Sequence, residues 1–278
     1  KTIASRNRLL SGPLIERIAT QHALVRIAVR SVTFLDDRWD GAGYGRCDSS
    51  RSRSLRTRTS DLKASMLGEG VFVFTFYYEV NTCSLASHIA LQEAGAEYKA
   101  VRISFAADQQ RKSDYLAVNP KGRVPALVTD RGILTETPAI LAFIAQSFPQ
   151  AKLAPLSDPF AFAEVQSFNS YMCATVHVAH AHKTRGPRWA DDPAAIAEMR
   201  RKVPQSVGAC FELIENEMLK GPWVMGDAYT ICDPYLFTFA QMLEGDSVDP
   251  ARFPKVSDHR RRMSERPSVR KAIAEEFA

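Results

Sequence analysis

Residues 71–91, VFVFTFYYEVNTCSLASHIAL, change their period halfway along. Phe72, Phe74 and Phe76 alternate with Val73 and Thr75, the two-residue repeat of a strand with at least one buried face. Asn81 and Thr82 then read as a turn. Behind it Leu85, Ile89 and Ala90 recur at helical spacing, and Gly95 stands where a left-handed residue closes a helix. Cys83 falls where that helix begins. A thiol there faces unpaired backbone N–H groups and the positive end of the helix dipole, so its pKa is expected to fall and its thiolate to serve sulfur chemistry.

Composition narrows the setting. The chain has 278 residues, 45% of them hydrophobic, enough to bury a core in one or two domains. No run of eighteen or more apolar residues occurs, so no membrane span is expected. Five cysteines, an odd number without a short repeated spacing, point to a reduced, cytoplasmic setting. Of the 36 Lys and Arg, 13 lie in residues 1–65 with only 6 of the 31 acidic residues, so the rest holds 23 basic against 25 acidic side chains. The net charge of +5 therefore belongs to the leader, and no nucleic-acid partner is expected.

Residues 1–65 read unlike the remainder, with Arg and Ser clustered in SSRSRSLRTRTS (49–60) and no Met before Met66. A targeting segment, a disordered extension and translated sequence upstream of the true start all fit; the six acidic residues weigh against targeting, and the third reading is preferred.

From Met66 the order is legible. EYKAVRIS (97–104) reads as a second strand, and Ser113-Asp114 as the cap of a short helix that ends before Asn119-Pro120. VPALVT (124–129), a tight Asp130-Arg131-Gly132 turn and Ile133–Thr135 form a hairpin. Thr137 offers an N-cap, Pro138 fits the first helical position, and Ile140, Leu141 and Ile144 supply the apolar stripe. The expected fold is thus an α/β domain of order βαβαββα over 66–148. A proline-rich linker follows at 149–159, and then an all-helical domain over 160–278. Its expected helices are 160–182, 194–219, 229–243 and a basic terminal helix near 259–277.

Three motifs, YYEVNTCSLASHIAL (77–91), NPKGRVPALVTDRGILTETPAIL (119–141) and GDAYTICDPYLF (226–237), together resemble the cytosolic glutathione S-transferase superfamily and, within it, the bacterial beta-like class. The likeness covers residues 71–278. It implies a thioredoxin-like N-terminal domain, a helical C-terminal domain, a homodimer, glutathione as co-substrate and a hydrophobic electrophilic small molecule as second substrate.

The resemblance also assigns residues. Val124-Pro125 matches the family's cis-proline turn, which leaves the Val124 backbone to pair with an extended tripeptide. Glu136 and Thr137 match the acidic residue and the Ser that hold the amino-acid end of glutathione, with Thr replacing the commoner Ser. Cys83 matches the beta-class cysteine, which lies near the glutathione sulfur and can form a mixed disulfide with it. Ser84 or Tyr78 could instead donate to the glutathione thiolate, as in other classes.

His177 stands where the beta-like pattern has a helix-borne His, but Val178 replaces the Lys that usually follows. Arg185, Arg188 and Trp189, in a Gly-Pro-containing break after that helix, are candidates for holding an acidic or aromatic electrophile, with His180 beside them, or else form a surface loop that caps two helices. His177 and His180 share a helix face, yet two ligands do not make a zinc site, and no metal is expected. Thr230 to Asp233 form a capping box, a structural element. Cys173, Cys210 and Cys232 fall on apolar faces and read as core. Transferase, glutathione-dependent disulfide reductase through Cys83, and non-catalytic binder of the same fold all remain compatible with the sequence.

Overall fold

A computed structural model describes residues 73–277, so the readings made for residues 1–65 lie outside the described residues. The aromatic run forms β1 (Phe74–Tyr78), the polar turn follows, and α1 (Ser84–Glu93) starts directly behind Cys83. The helix closes as its sequence predicts. Gly95 is left-handed at φ 64°, its N–H donates to Gln92 O, and the Ala96 N–H donates to Leu91 O, the paired bonds that satisfy the last carbonyls of a helix. After α1 the chain returns in β2 (Tyr98–Arg102), parallel to β1 with Phe76 opposite Ala100.

The short α2 (Ser113–Val118) starts with Ser113 inside the helix and no side-chain cap, against the expected capping, and ends before Pro120. The hairpin is β3 (Ala126–Thr129) with β4 (Gly132–Thr135), antiparallel and with Leu127 opposite Leu134. β3 pairs antiparallel with β1, giving a mixed sheet in the order β2-β1-β3-β4. α3 (Thr137–Ser147) then buries Ile140, Leu141 and Ile144. Thr137 is its first helical residue, and Glu136 precedes it at φ 73°, so the cap falls one residue earlier than expected.

The helical half begins with α4 (Pro159–Tyr171), passes through a π-helical stretch at Met172–Val176, and continues into α5 (His177–Arg185). α6 (Pro193–Leu213) and α7 (Cys232–Ala240) follow. The single terminal helix expected from the sequence is two, α8 (Pro254–Glu265) and α9 (Pro267–Glu276). Pro267 forces the break. The residue before a proline is driven out of the helical region, and Arg266 sits extended at ψ 132°.

Sheet and helices share one core, in which Phe76, Leu91 and Ile140 belong to the same apolar cluster as Phe168, Phe211 and Tyr235. α1 packs against α3, α7 and α9. Polar groups fix those contacts. His88 on α1 is buried between Glu275 Oε2 at 3.0 Å and Glu276 Oε1 at 3.3 Å, and Arg266 grips the Glu93 carboxylate. Asp233 is fully buried and accepts from Val224 N at 2.8 Å, Thr230 N at 2.7 Å and His259 Nε2 at 3.0 Å. The Thr230–Asp233 box therefore extends into a hub that ties the preceding loop to α8.

Candidate functional site

The loop between β1 and α1 is held by a carboxylate that the sequence reading passed over. Glu79 is buried and accepts from Val80 N at 2.8 Å, Phe105 N at 2.7 Å and Arg102 Nε at 2.8 Å. These donors outweigh its burial and hold the carboxyl below its usual range. The Glu79 carbonyl in turn accepts from the Thr82 and Ser84 hydroxyls, which lie 2.7 Å from each other. Ser84 is thus fully buried and its hydroxyl is engaged within the loop. It is a brace for the turn, and the structure does not bring it into either cleft described below.

What the brace presents is Cys83. Its Sγ donates to the Val124 carbonyl at 3.6 Å. Burial pushes the thiol up to about 11; the Thr137 hydroxyl pulls the other way, and Cys173 and Glu136 add to the rise. The sequence predicted a depressed pKa from the helix end. The structure reverses that expectation, because a sulfur shut away from water loses more thiolate stabilisation than one helix terminus supplies.

Two adjoining clefts meet at Cys83. The inner one, about 110 Å³, brings Cys83 together with Val124, Pro125, Glu136 and Thr137, and is lined also by His177 and Trp189. The outer one, about 220 Å³, shares Cys83, Val124 and His177 and adds His180 and Arg185. The Val124-Pro125 bond is cis, and Val124 precedes the first residue of β3 in the ladder, Ala126. Glu136 reaches the Lys121 ammonium, which also donates to Thr135 Oγ1 at 2.7 Å.

The two histidines share the Phe239 ring and differ in their other contacts. His177 packs against Phe239 with ring centres 5.2 Å apart, and burial, followed by the charges of His180, Arg188 and Arg123, pushes its pKa down to about 4. It is a neutral imidazole at physiological pH. His180 is bound through Nδ1 to Asp246 Oδ2 at 2.6 Å. Arg185 lies over the Phe105 ring in the outer cleft, whereas Trp189 is edge-on to His182 and lines the inner one together with Arg188.

Tyr78 is not brought to the site. Its hydroxyl donates to the Glu275 carbonyl at 3.2 Å, on the side of the sheet covered by α9. One residue the sequence placed elsewhere, Cys173, and one it did not single out, Tyr235, do arrive. Cys173, expected in the core, packs half-buried against the apolar cluster and also lines the inner cleft beside Tyr235. It lies in the π-helical stretch, whose wider turn breaks the 3.6-residue period on which the core reading rested. Cys210 and Cys232 are buried as expected.

A thioredoxin-like sheet whose cis-proline turn faces a cysteine at a helix start, closed over by a helical half, defines the glutathione transferase class. Models of the glutathione S-transferase N-terminal and C-terminal domains match residues 73–146 and 177–267. Glutathione S-transferase GstA of Escherichia coli O157:H7 is 33% identical over 206 residues, 72% of this chain and 97% of that protein. A glutathione transferase homolog from Sulfitobacter, solved with bound glutathione, is 42% identical with TM-score 0.72, covering 75% of this chain and all of that one. The beta class glutathione S-transferase of Sphingomonas chungbukensis is 31% identical with TM-score 0.64, covering 73% and 98%. The chain belongs to the glutathione S-transferase family and is a glutathione S-transferase-like enzyme.

Proposed function

We propose that the enzyme joins the sulfur of glutathione to an electrophilic small molecule. One observation carries the reading: a single cleft holds Cys83, the Val124 backbone beside its cis proline, and the Glu136-Thr137 start of α3. An extended tripeptide lying there would set its ammonium near Glu136, its carboxylate near the Thr137 hydroxyl and the first turn of α3, and its central residue along Val124. Its sulfur then falls at Cys83.

The state of Cys83 supports transfer over disulfide reduction. A thiol that stays protonated is a hydrogen-bond donor, and at this position it can turn from the Val124 carbonyl to the glutathione sulfur. That bond favours the glutathione thiolate, with the α1 terminus adding to the effect. The thiolate attacks an electrophile held in the outer cleft, forming the C–S bond as the leaving group departs with the electron pair of the broken one. Neutral His177 stands between the two substrates. Family membership supports a homodimer working in the cytoplasm; among the described residues no helix is long and apolar enough to cross a membrane.

The deciding experiment titrates glutathione into the wild type and Cys83→Ser, then assays both with an aryl halide and with a glutathione mixed disulfide. Conjugation that survives in Cys83→Ser, a hydroxyl donor in place of a thiol, supports the proposal. Disulfide reduction that is fast in the wild type and absent in the variant moves the reductase reading ahead. Absence of glutathione binding in both proteins sinks the proposal.

A further inference from the structure

Four arginines converge on the outer cleft. Arg111 comes from a 3-10 turn at Gln109–Arg111, Arg123 from the loop before Pro125, Arg185 from the end of α5 and Arg188 from the turn behind it. Several arginines elsewhere rest on carboxylates: Arg102 on Glu79, Arg201 on Glu198, Arg252 on Glu212, Arg260 on Glu244 and Arg266 on Glu93. Around the cleft they do not. Among the described residues no Asp or Glu lines it. Arg123 and Arg188 form no ion pair there. Arg111 has only an exposed contact with Asp108 at 3.5 Å, of a kind that contributes little.

The one buried carboxylate near the His180 wall, Asp246, is already taken by His180 at 2.6 Å and Lys183 at 3.5 Å. The arginines feel each other, since burial and the charges of Arg123, Arg185 and Arg111 hold the Arg188 guanidinium below its ordinary pKa. Glu136, which lines the inner cleft with Arg123 and Arg188, is paired with Lys121, so cations outnumber anions around the clefts and leave like-charge repulsion in the free protein that a bound anion relieves.

The two clefts divide this charge. Arg123 and Arg188 line both, whereas Arg111 and Arg185 line the outer one and not the inner. Glutathione brings carboxylates of its own, and Arg123 and Arg188 are placed to meet one of them. Arg111 and Arg185 line only the outer cleft, which also holds the apolar side chains of Phe105, Phe239 and Met242, and Arg185 lies over the Phe105 ring.

We propose that the second substrate is an anionic electrophile, a planar apolar body bearing a carboxylate, with the carboxylate held by Arg185 and Arg111 and the body against Phe239 and Met242. This rests on the glutathione reading above for its chemistry, and on the cleft alone for its charge selection. With an activated aryl chloride the glutathione thiolate attacks the ring carbon, the C–S bond forms, chloride leaves with the C–Cl electron pair, and the thiol proton passes to solvent.

The test compares two aryl chlorides, neutral 1-chloro-2,4-dinitrobenzene and anionic 4-chloro-3,5-dinitrobenzoate, each corrected for its uncatalysed rate. The expected result is at least tenfold higher kcat/KM for the benzoate, a preference that shrinks as salt is raised. The ratio falls at least tenfold in Arg185→Gln/Arg111→Gln and is partly restored in Arg185→Lys, while thermal melting confirms that the variants fold. A ratio that favours the neutral substrate, or does not move in the variants, overturns the proposal. So does a variant whose glutathione affinity drops in place of the ratio, because the arginines then serve glutathione. If the wild type binds no glutathione, the glutathione reading fails separately. The anion site is then judged by equilibrium binding of unreactive 3,5-dinitrobenzoate, which must be tighter in wild type than in Arg185→Gln.

Discussion

Cys83 Sγ and the carbonyl oxygen of Val124 lie 3.6 Å apart, bridging the start of α1 to the residue before the cis proline. The contact places a sulfur beside the backbone that precedes β3, which is the arrangement a thiol-bearing peptide needs.

The first prediction concerns that sulfur. With burial pushing its pKa up to about 11, Cys83 is a thiol at pH 7.5, and iodoacetamide should alkylate it more slowly than it alkylates free glutathione under the same conditions. Mass spectrometry of alkylated wild type, with Cys83→Ser as control, reads this directly. Rapid alkylation of Cys83 at pH 7.5 would restore the thiolate that the helix terminus alone suggests.

His177 makes stability depend on pH. Its folded pKa, about 4, lies below the ordinary value of 6.5, so the unfolded chain binds the extra proton between those values. Stability from this group is fully present above pH 6.5 and is lost as pH falls towards 4, by up to about 3 kcal/mol. Urea unfolding at pH 7.5 and pH 4.5 should show a smaller pH effect in His177→Gln than in the wild type. Equal losses in both would rule out His177 as the source.

The sheet was readable because its signals are local: alternating aromatics in β1, Gly95 at the end of α1, the Asp130-Gly132 turn, and prolines after α2 and α3. The break at Pro267 carries an equally local signal, which the expectation of one basic terminal helix over 259–277 leaves out. The site was half readable. Cys83, Val124, Glu136, Thr137 and His177 sit in motifs tied to the sheet or to one helix face, and they converge. Cys173 and the state of Cys83 were not legible, because a π-helical turn and the burial of a sulfur depend on how the helical half closes over the sheet. The four arginines lie on three separate segments, and no spacing in the sequence shows that they face one cleft.

Asp233 should matter for stability, not chemistry. It is fully buried, with two backbone donors and the His259 ring on its oxygens. Asp233→Ala strands all three buried donors and should destabilise the protein by about 3 kcal/mol or more, at roughly 1–3 kcal/mol for each donor left unsatisfied. Urea unfolding measures it. A loss under 1 kcal/mol would mean that the hub is dispensable.

Tyr78 separates the two ways in which a tyrosine near this helix start could act. If its hydroxyl served the glutathione sulfur, removing it would slow conjugation while leaving stability nearly unchanged. The structure instead gives that hydroxyl to the Glu275 carbonyl at 3.2 Å, joining β1 to the terminal helix α9. Tyr78→Phe should therefore cost about 1 kcal/mol of stability, the usual worth of one hydrogen bond, and change kcat/KM for an aryl halide by less than about twofold, or roughly 0.4 kcal/mol of barrier. Steady-state kinetics and urea unfolding on the same preparation decide between the two. A tenfold fall in kcat/KM with unchanged stability would return Tyr78 to the site and remove Cys83 as the necessary donor.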